Sequence, residues 1–121
     1  MPRVVHFEIP SDDPQRAVKF YQEAFGWEIG TWGGPGEYFL ATTGPDSEPG
    51  INGAIMRREG QTGVVNTIGV GSYEEAVEKV LKAGGKVLTP EEPVPSIGWF
   101  SYCADTEGNT FGIMQPDPSA K

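Results

Sequence analysis

The stretch "VVHFEIPSDDPQRAVKFYQEAFGWEI", residues 4–29, runs from an apolar strand through a capped helix to a stop signal without a break. Val5, Phe7 and Ile9 alternate with His6 and Glu8, which gives a strand with one apolar and one polar face. Asp13 stands where a carboxylate can accept from the first unpaired helical N–H groups. Pro14 suits the first helical position, because its φ is already helical and it has no N–H to satisfy. Ala17, Phe20, Tyr21, Ala24 and Phe25 then recur at i, i+3, i+4, i+7 and i+8, a single apolar stripe. Gly26 ends the helix, since a left-handed residue costs least without a Cβ.

The same order returns further along. Ser72-Tyr73-Glu74-Glu75 forms a capping box, Val77, Val80, Leu81 and Gly84 share a helical face, and Gly84-Gly85 stops the helix. Strand-like runs surround both helices. "RVVHFEI" and "VVNTIGV" precede them, "WEIGTW", "EYFLATT" and "INGAIMR" follow the first, and "KVLTP", "GWFSYCA" and "NTFGIMQ" follow the second. An offset of 59 places Ala17 on Ala76, Val18 on Val77, Ala24 on Ala83 and Gly26 on Gly85. The chain therefore reads as β-α-β-β-β twice over, one domain across 1–121, with modules at about 3–58 and 62–116. The loops "GTWGGPGEY", "TGPDSEPG" and "PEEPVPSIG" read as connections without strands of their own.

Composition narrows the function classes. Nine basic residues against seventeen acidic ones give a net charge of −8, which disfavours nucleic acid and anionic membrane as partners. No apolar run is long enough to cross a bilayer, and the opening residues lack a signal-peptide pattern. One cysteine, Cys103, has no second cysteine to pair with, so a reducing, cytoplasmic setting is expected and the thiol reads as buried and inert.

Two stretches, "VVHFEIPSDDPQRAVKFYQEAFGWEI" and "FSYCADTEGNTFGIMQPD", resemble the vicinal oxygen chelate superfamily of glyoxalase I, bleomycin resistance proteins and extradiol dioxygenases. The resemblance covers essentially the whole chain. It implies an α+β fold in which two βαβββ modules form a half-open barrel around a central cavity, and it implies a homodimer. In metal-using members two histidines on the first strand of each module and two carboxylates on the last strand hold the ion. His6 falls on the first of these positions. Val65 falls on the second histidine position, and Gly53 (within one residue of register) and Gly112 on the carboxylate positions. Valine and glycine side chains donate nothing, so no metal cofactor is expected.

Three readings of His6 remain: a metal ligand, a polar contact to a bound molecule, or a structural histidine. Paired with Glu8 on alternate positions, it is also a candidate acid–base catalyst. Alternation places His6 and Glu8 on the cavity side, along with Thr110, Gly112 and Met114. Ile55 and Arg57 share the face of Gly53. The expected ligand-contacting set is His6, Trp32, Phe39, Ile55, Arg57, Trp99 and Met114. The leading expectation is a metal-independent protein that binds a small organic molecule in a largely apolar cavity. A lyase, isomerase or dioxygenase-like enzyme using His6, and a non-catalytic interaction module, are the alternatives.

Overall fold

A computed structural model describes residues 2–34 and 36–121; the Pro35 of the "GTWGGPGEY" connection lies outside the described residues. The protein is α+β and divides into two compact units, His6–Val65 and residues 2–5 with Asn66–Lys121.

The first unit contains the greater part of β1 (Arg3–Ser11), then α1 (Pro14–Phe25), β2 (Glu28–Thr31), β3 (Tyr38–Thr42) and β4 (Gly53–Arg57). Its strands lie in the order β2-β3-β4-β1, with β1 and β4 parallel and the rest antiparallel. The parallel pairing needs a crossover, which α1 and the β2–β3 hairpin supply. The ends of α1 are set by local chemistry. Asp13 Oδ1 accepts from the Arg16 N–H at 3.1 Å, and Gly26, at φ 72°, donates its N–H to the Gln22 carbonyl at 3.0 Å. The apolar stripe is not buried along its whole length. Ala17, Val18 and Tyr21 are half-buried, whereas Phe20 and Phe25 remain 56% and 65% exposed and pack edge-on against each other. Tyr21 stacks on Trp27 at 4.8 Å, and Trp27 meets Phe7, so α1 covers the Phe7 side of the sheet.

The second unit has β5 (Val65–Gly69, of which Val65 closes the first unit), α2 (Tyr73–Lys82), β6 (Lys86–Val87), β7 (Glu92–Val94), β8 (Gly98–Ala104) and β9 (Thr110–Pro116). Here β5 pairs parallel with β9, β9 antiparallel with β8, and β6 and β7 both with β8. Ser72 caps α2 through the Glu75 N–H at 3.2 Å, with Glu74 and Glu75 in the first turn and Lys79 and Lys82 in the last, both favourable to the helix dipole. Tyr73, Cys103 and Ile113 form the core beneath α2, against Val77, Val80 and Phe111. The β8–β9 turn is closed by local bonds: Asp105 accepts from the N–H groups of Glu107 and Asn109 at 2.9 Å, while Gly108 takes φ 83°. These bonds hold the exposed Asp105 carboxyl below its usual range.

One connection differs from expectation. "PEEPVPSIG" contains β7, which folds back on β8 through a tight turn with Ser96 at φ 68° and the Ile97 N–H bonded to the Val94 carbonyl. Its prolines forbid a central strand but not a short edge strand.

Candidate functional site

The pleat of the first unit sorts its side chains by register. Residues opposite one another in paired strands point to the same side. Phe7 lies opposite Gly53, and Ile9 opposite Ile55, which in turn faces Phe39. This set lies on the side covered by α1. The other side carries His6, Glu8, Ala54, Met56 and Tyr38, since Glu8 pairs with Ala54 and Met56 with Tyr38.

On that second side three polar groups form a chain. The Tyr38 hydroxyl donates to Glu8 Oε2 at 2.7 Å, and His6 Nε2 lies 2.9 Å from the same hydroxyl oxygen. Because the tyrosine proton goes to Glu8, His6 must donate through Nε2–H, which leaves Nδ1 as the acceptor of a neutral imidazole. The His6 and Tyr38 rings lie 16° from parallel, and the Trp32 ring meets Tyr38 at 5.5 Å. Glu8 is 5% exposed, and the hydroxyl gives it the partner a buried carboxyl needs. Burial pushes the His6 pKa below 6.5, and the nearby Glu8 opposes this only in part. The site thus presents a neutral imidazole backed by a tyrosine and a buried carboxyl. It can accept a hydrogen bond or a proton at Nδ1 and pass charge toward Glu8.

The catalytic candidates His6 and Glu8 and the expected contact residues divide accordingly. His6, Glu8 and Trp32 come together around Tyr38. Phe39 and Ile55 do not join them: the register turns both to the helix side, and Ile55 is fully buried there. Arg57 is held at the strand ends, its Nε on Glu37 at 2.6 Å and Nη1 on the Asp12 carbonyl at 2.8 Å. In the second unit Trp99 shares the pleat side of Ser101 and Cys103, the side of Tyr73, and donates Nε1–H to Asp117 at 2.9 Å. Met114 keeps its expected side, with Gly112, and Phe100 and Tyr102 lie opposite these two. Tyr38, Phe100 and Tyr102 are the residues the sequence reading missed. Tyr38 adjoins Phe39 and Phe100 adjoins Trp99, each one residue out of register with the expected aromatic, while Tyr102 lies two residues beyond Phe100 on the same side. A tyrosine beside a phenylalanine does hint at which one faces polar partners.

The donor set does not fit a metal ion. In the first unit Gly53 points to the helix side, where a Cβ would lie 2.5 Å from Phe7; on the His6 face Ala54 and Met56 offer no nitrogen or oxygen donor, and the Glu8 carboxylate is engaged by the Tyr38 hydroxyl. Val65 is buried and donates nothing. A Cβ on Gly112 would lie 2.6 Å from the Phe100 ring. Among the described residues no group of three or more His, Cys, Asp or Glu side chains is placed to hold a metal. Two surface hollows, of about 140 Å³ along the loop of Pro45, Asp46 and Glu48 and about 320 Å³ beside Arg3, Val5 and Val70, do not touch His6, Glu8 or Tyr38. Neither carries a catalytic arrangement, so the polar chain is the stronger candidate.

Comparison with known proteins adds the following. The bleomycin resistance protein-like N-terminal family matches residues 3–34. A glyoxylase-like domain-containing protein of Didymella fabae is 33% identical over 114 residues, which is 88% of this chain and 88% of that protein. The glyoxylase-like protein CFP32 of Mycobacterium tuberculosis is 31% identical over 115 residues, 89% of this chain but only 43% of the relative's length. Among solved structures, the hypothetical protein BH1468 of Bacillus halodurans superposes with a TM-score of 0.69 over 99% of this chain and 98% of its own, at 15% identity. Methylmalonyl-CoA epimerase of Mycobacterium tuberculosis superposes at 0.70 over 95% of this chain and 88% of its own, at 14% identity. At these identities the structural likeness is one of fold.

Proposed function

Because the chain belongs to the glyoxylase-like proteins of the vicinal oxygen chelate superfamily, we propose that it binds a small organic molecule without a metal ion, using the side of the first unit that carries His6. The observation that supports this most is the hydrogen-bonded chain His6–Tyr38–Glu8. It fixes the imidazole tautomer and presents Nδ1 as a single directional acceptor. The side chains flanking it, Ala54, Met56 and Trp32, suit a ligand with an apolar body and one donor group. A second copy of the chain as partner and a cytoplasmic location belong to the same reading.

The test is a thermal-shift and calorimetric screen of the full chain against small neutral and anionic organic compounds, with and without a chelator. Ligand binding to the folded state raises the melting temperature by mass action. The expected outcome is a stabilising compound whose effect survives chelation and weakens at least tenfold in His6→Ala. A tightly held stoichiometric metal that binding requires would overturn the reading.

A second reading, a proton-transfer enzyme, is favoured by the same chain of groups and by the fold shared with methylmalonyl-CoA epimerases. In it, His6 Nδ1 takes a proton from a carbon acid, Nε2–H passes its proton to the Tyr38 oxygen, and the Tyr38 proton moves to Glu8, so charge and protons balance. Exchange of substrate hydrogen with deuterium from solvent, lost in Glu8→Gln and in His6→Ala, distinguishes this enzyme from a binding protein.

A further inference from the structure

In the second unit one buried side-chain oxygen lacks a hydrogen-bond partner among the described residues. Thr67 is 4% exposed, and its hydroxyl oxygen is fully buried with no hydrogen-bond partner among the described residues. A buried hydroxyl in that state is costly, and such groups are uncommon in folded proteins. Thr67 lies directly opposite Gly112 in the β5–β9 ladder, and a Cβ at 112 would sit 3.1 Å from the Thr67 oxygen. The backbone here thus has a notch where any other residue would carry a side chain. The end of the half-buried Phe100 ring covers that notch, its Cε2 and Cζ atoms 2.6 Å from the position of the missing Cβ. Phe100 in turn rests edge-on against Tyr102 at 4.7 Å.

These three features have one economical explanation. A polar floor, a missing side chain and an aromatic cover on a rotatable bond are the parts a site needs if it is to open when Phe100 turns about χ1. We propose that Thr67 is a ligand-contacting residue, and that a neutral carbonyl oxygen on a planar apolar molecule displaces the Phe100 ring from Gly112 and accepts a hydrogen bond from the Thr67 hydroxyl. The class of ligand follows from what shares this pleat side. Thr110, Gly112 and Met114 of β9 and Gly98, Phe100 and Tyr102 of β8 carry no charge, so an anion would find no countercharge, and the net charge of −8 opposes it further. An aromatic body is favoured by Phe100 and Tyr102, which offer ring faces and edges. The inference rests on the reading that the chain binds a small organic molecule, and adds a residue and a chemical class to it.

The test uses the full chain with acetophenone, a neutral aryl ketone, and ethylbenzene, which has the same ring without the oxygen. Proton–nitrogen spectra should show acetophenone shifting the signals of Thr67, Phe100 and Gly112, and acetophenone should bind more tightly than ethylbenzene. Thr67→Val should weaken acetophenone about tenfold and remove the preference over ethylbenzene, while Thr67→Ser keeps both. Without ligand, Thr67→Val should raise the melting temperature by about 3–6 °C, because a methyl group replaces an unpaired hydroxyl. Equal binding of acetophenone by wild type and Thr67→Val, or a lower melting temperature for Thr67→Val, would overturn the inference. Shifts confined to the surroundings of His6 and Tyr38 would overturn it and leave the broader reading standing. If neither this pair nor any compound of the wider screen binds the wild type, the broader reading falls as well.

Discussion

His6 is the chain's one histidine, so its ring signals are unambiguous in a proton spectrum. Its titration midpoint should lie below 6.5, because burial disfavours the imidazolium more than Glu8 favours it. The consequence for stability has a definite sign. The unfolded chain holds a proton at this residue more readily than the folded one, so stability is full above about pH 6.5 and declines on acidification through the folded-state pKa. Urea unfolding at a series of pH values should show that slope in the wild type and lose His6's share of it in His6→Gln. Tyr38→Phe removes the hydroxyl that donates to buried Glu8 at 2.7 Å and should lower stability by about 1–3 kcal/mol. At Gly53 a methyl group would meet both the Phe7 ring and its carbonyl oxygen at 2.5 Å. Because backbone cannot yield as a side chain end can, Gly53→Ala should cost about 2 kcal/mol in the same measurement.

The helices show how far sequence carries when the cause is local. Asp13, Pro14 and Gly26 set the ends of α1 through contacts within a few residues, and the same is true of Ser72 for α2. Asp13→Ala should therefore lower stability by about 1 kcal/mol in thermal or urea unfolding, and leave the His6 titration unchanged. Strand register has no such local cause. Whether Tyr38 or Phe39 faces His6 depends on how many residues the β2–β3 connection spends before β3 begins, and a shift of one exchanges the two faces. That is why β1 alone sets His6 and Glu8 on the side away from α1, whereas the register turns Phe39 and Ile55 to the helix side and Trp99 to the side of Tyr73. In β9 the pattern was readable, since the Asp105–Gly108 turn fixes where the strand restarts and Phe111 and Ile113 mark its buried side. Thr67 was invisible to this kind of reading, because threonine in a strand is ordinary and its lack of a partner exists only once the strands are paired.

Across the whole chain the recurring order of elements was legible because two helices with clear caps punctuate it, and membership in a superfamily follows from sequence similarity along 88% of the length. Among the described residues no helix is long and apolar enough to cross a membrane. The donor inventory gives a prediction that concerns the entire protein. Extensive dialysis against a chelator should leave the melting temperature unchanged, and added Ni²⁺ or Zn²⁺ should show no stoichiometric tight binding by calorimetry. A residual weak interaction through His6 should disappear in His6→Gln. Phe20 and Phe25 stay exposed on α1 next to Tyr21, a patch that solubility alone does not explain.

The meeting of Phe100 with Gly112 also bears on what position 112 can carry. A carboxylate at position 112 belongs to the metal-using pattern that the sequence resembles, and a glutamate placed there would have to displace the Phe100 ring from its first carbon onward. Gly112→Glu alone should unfold more readily than the wild type, and Phe100→Ala should restore part of the loss when the two are combined. The ring is thus a common gate: a ligand or a side chain that takes the space over position 112 must first turn Phe100 aside.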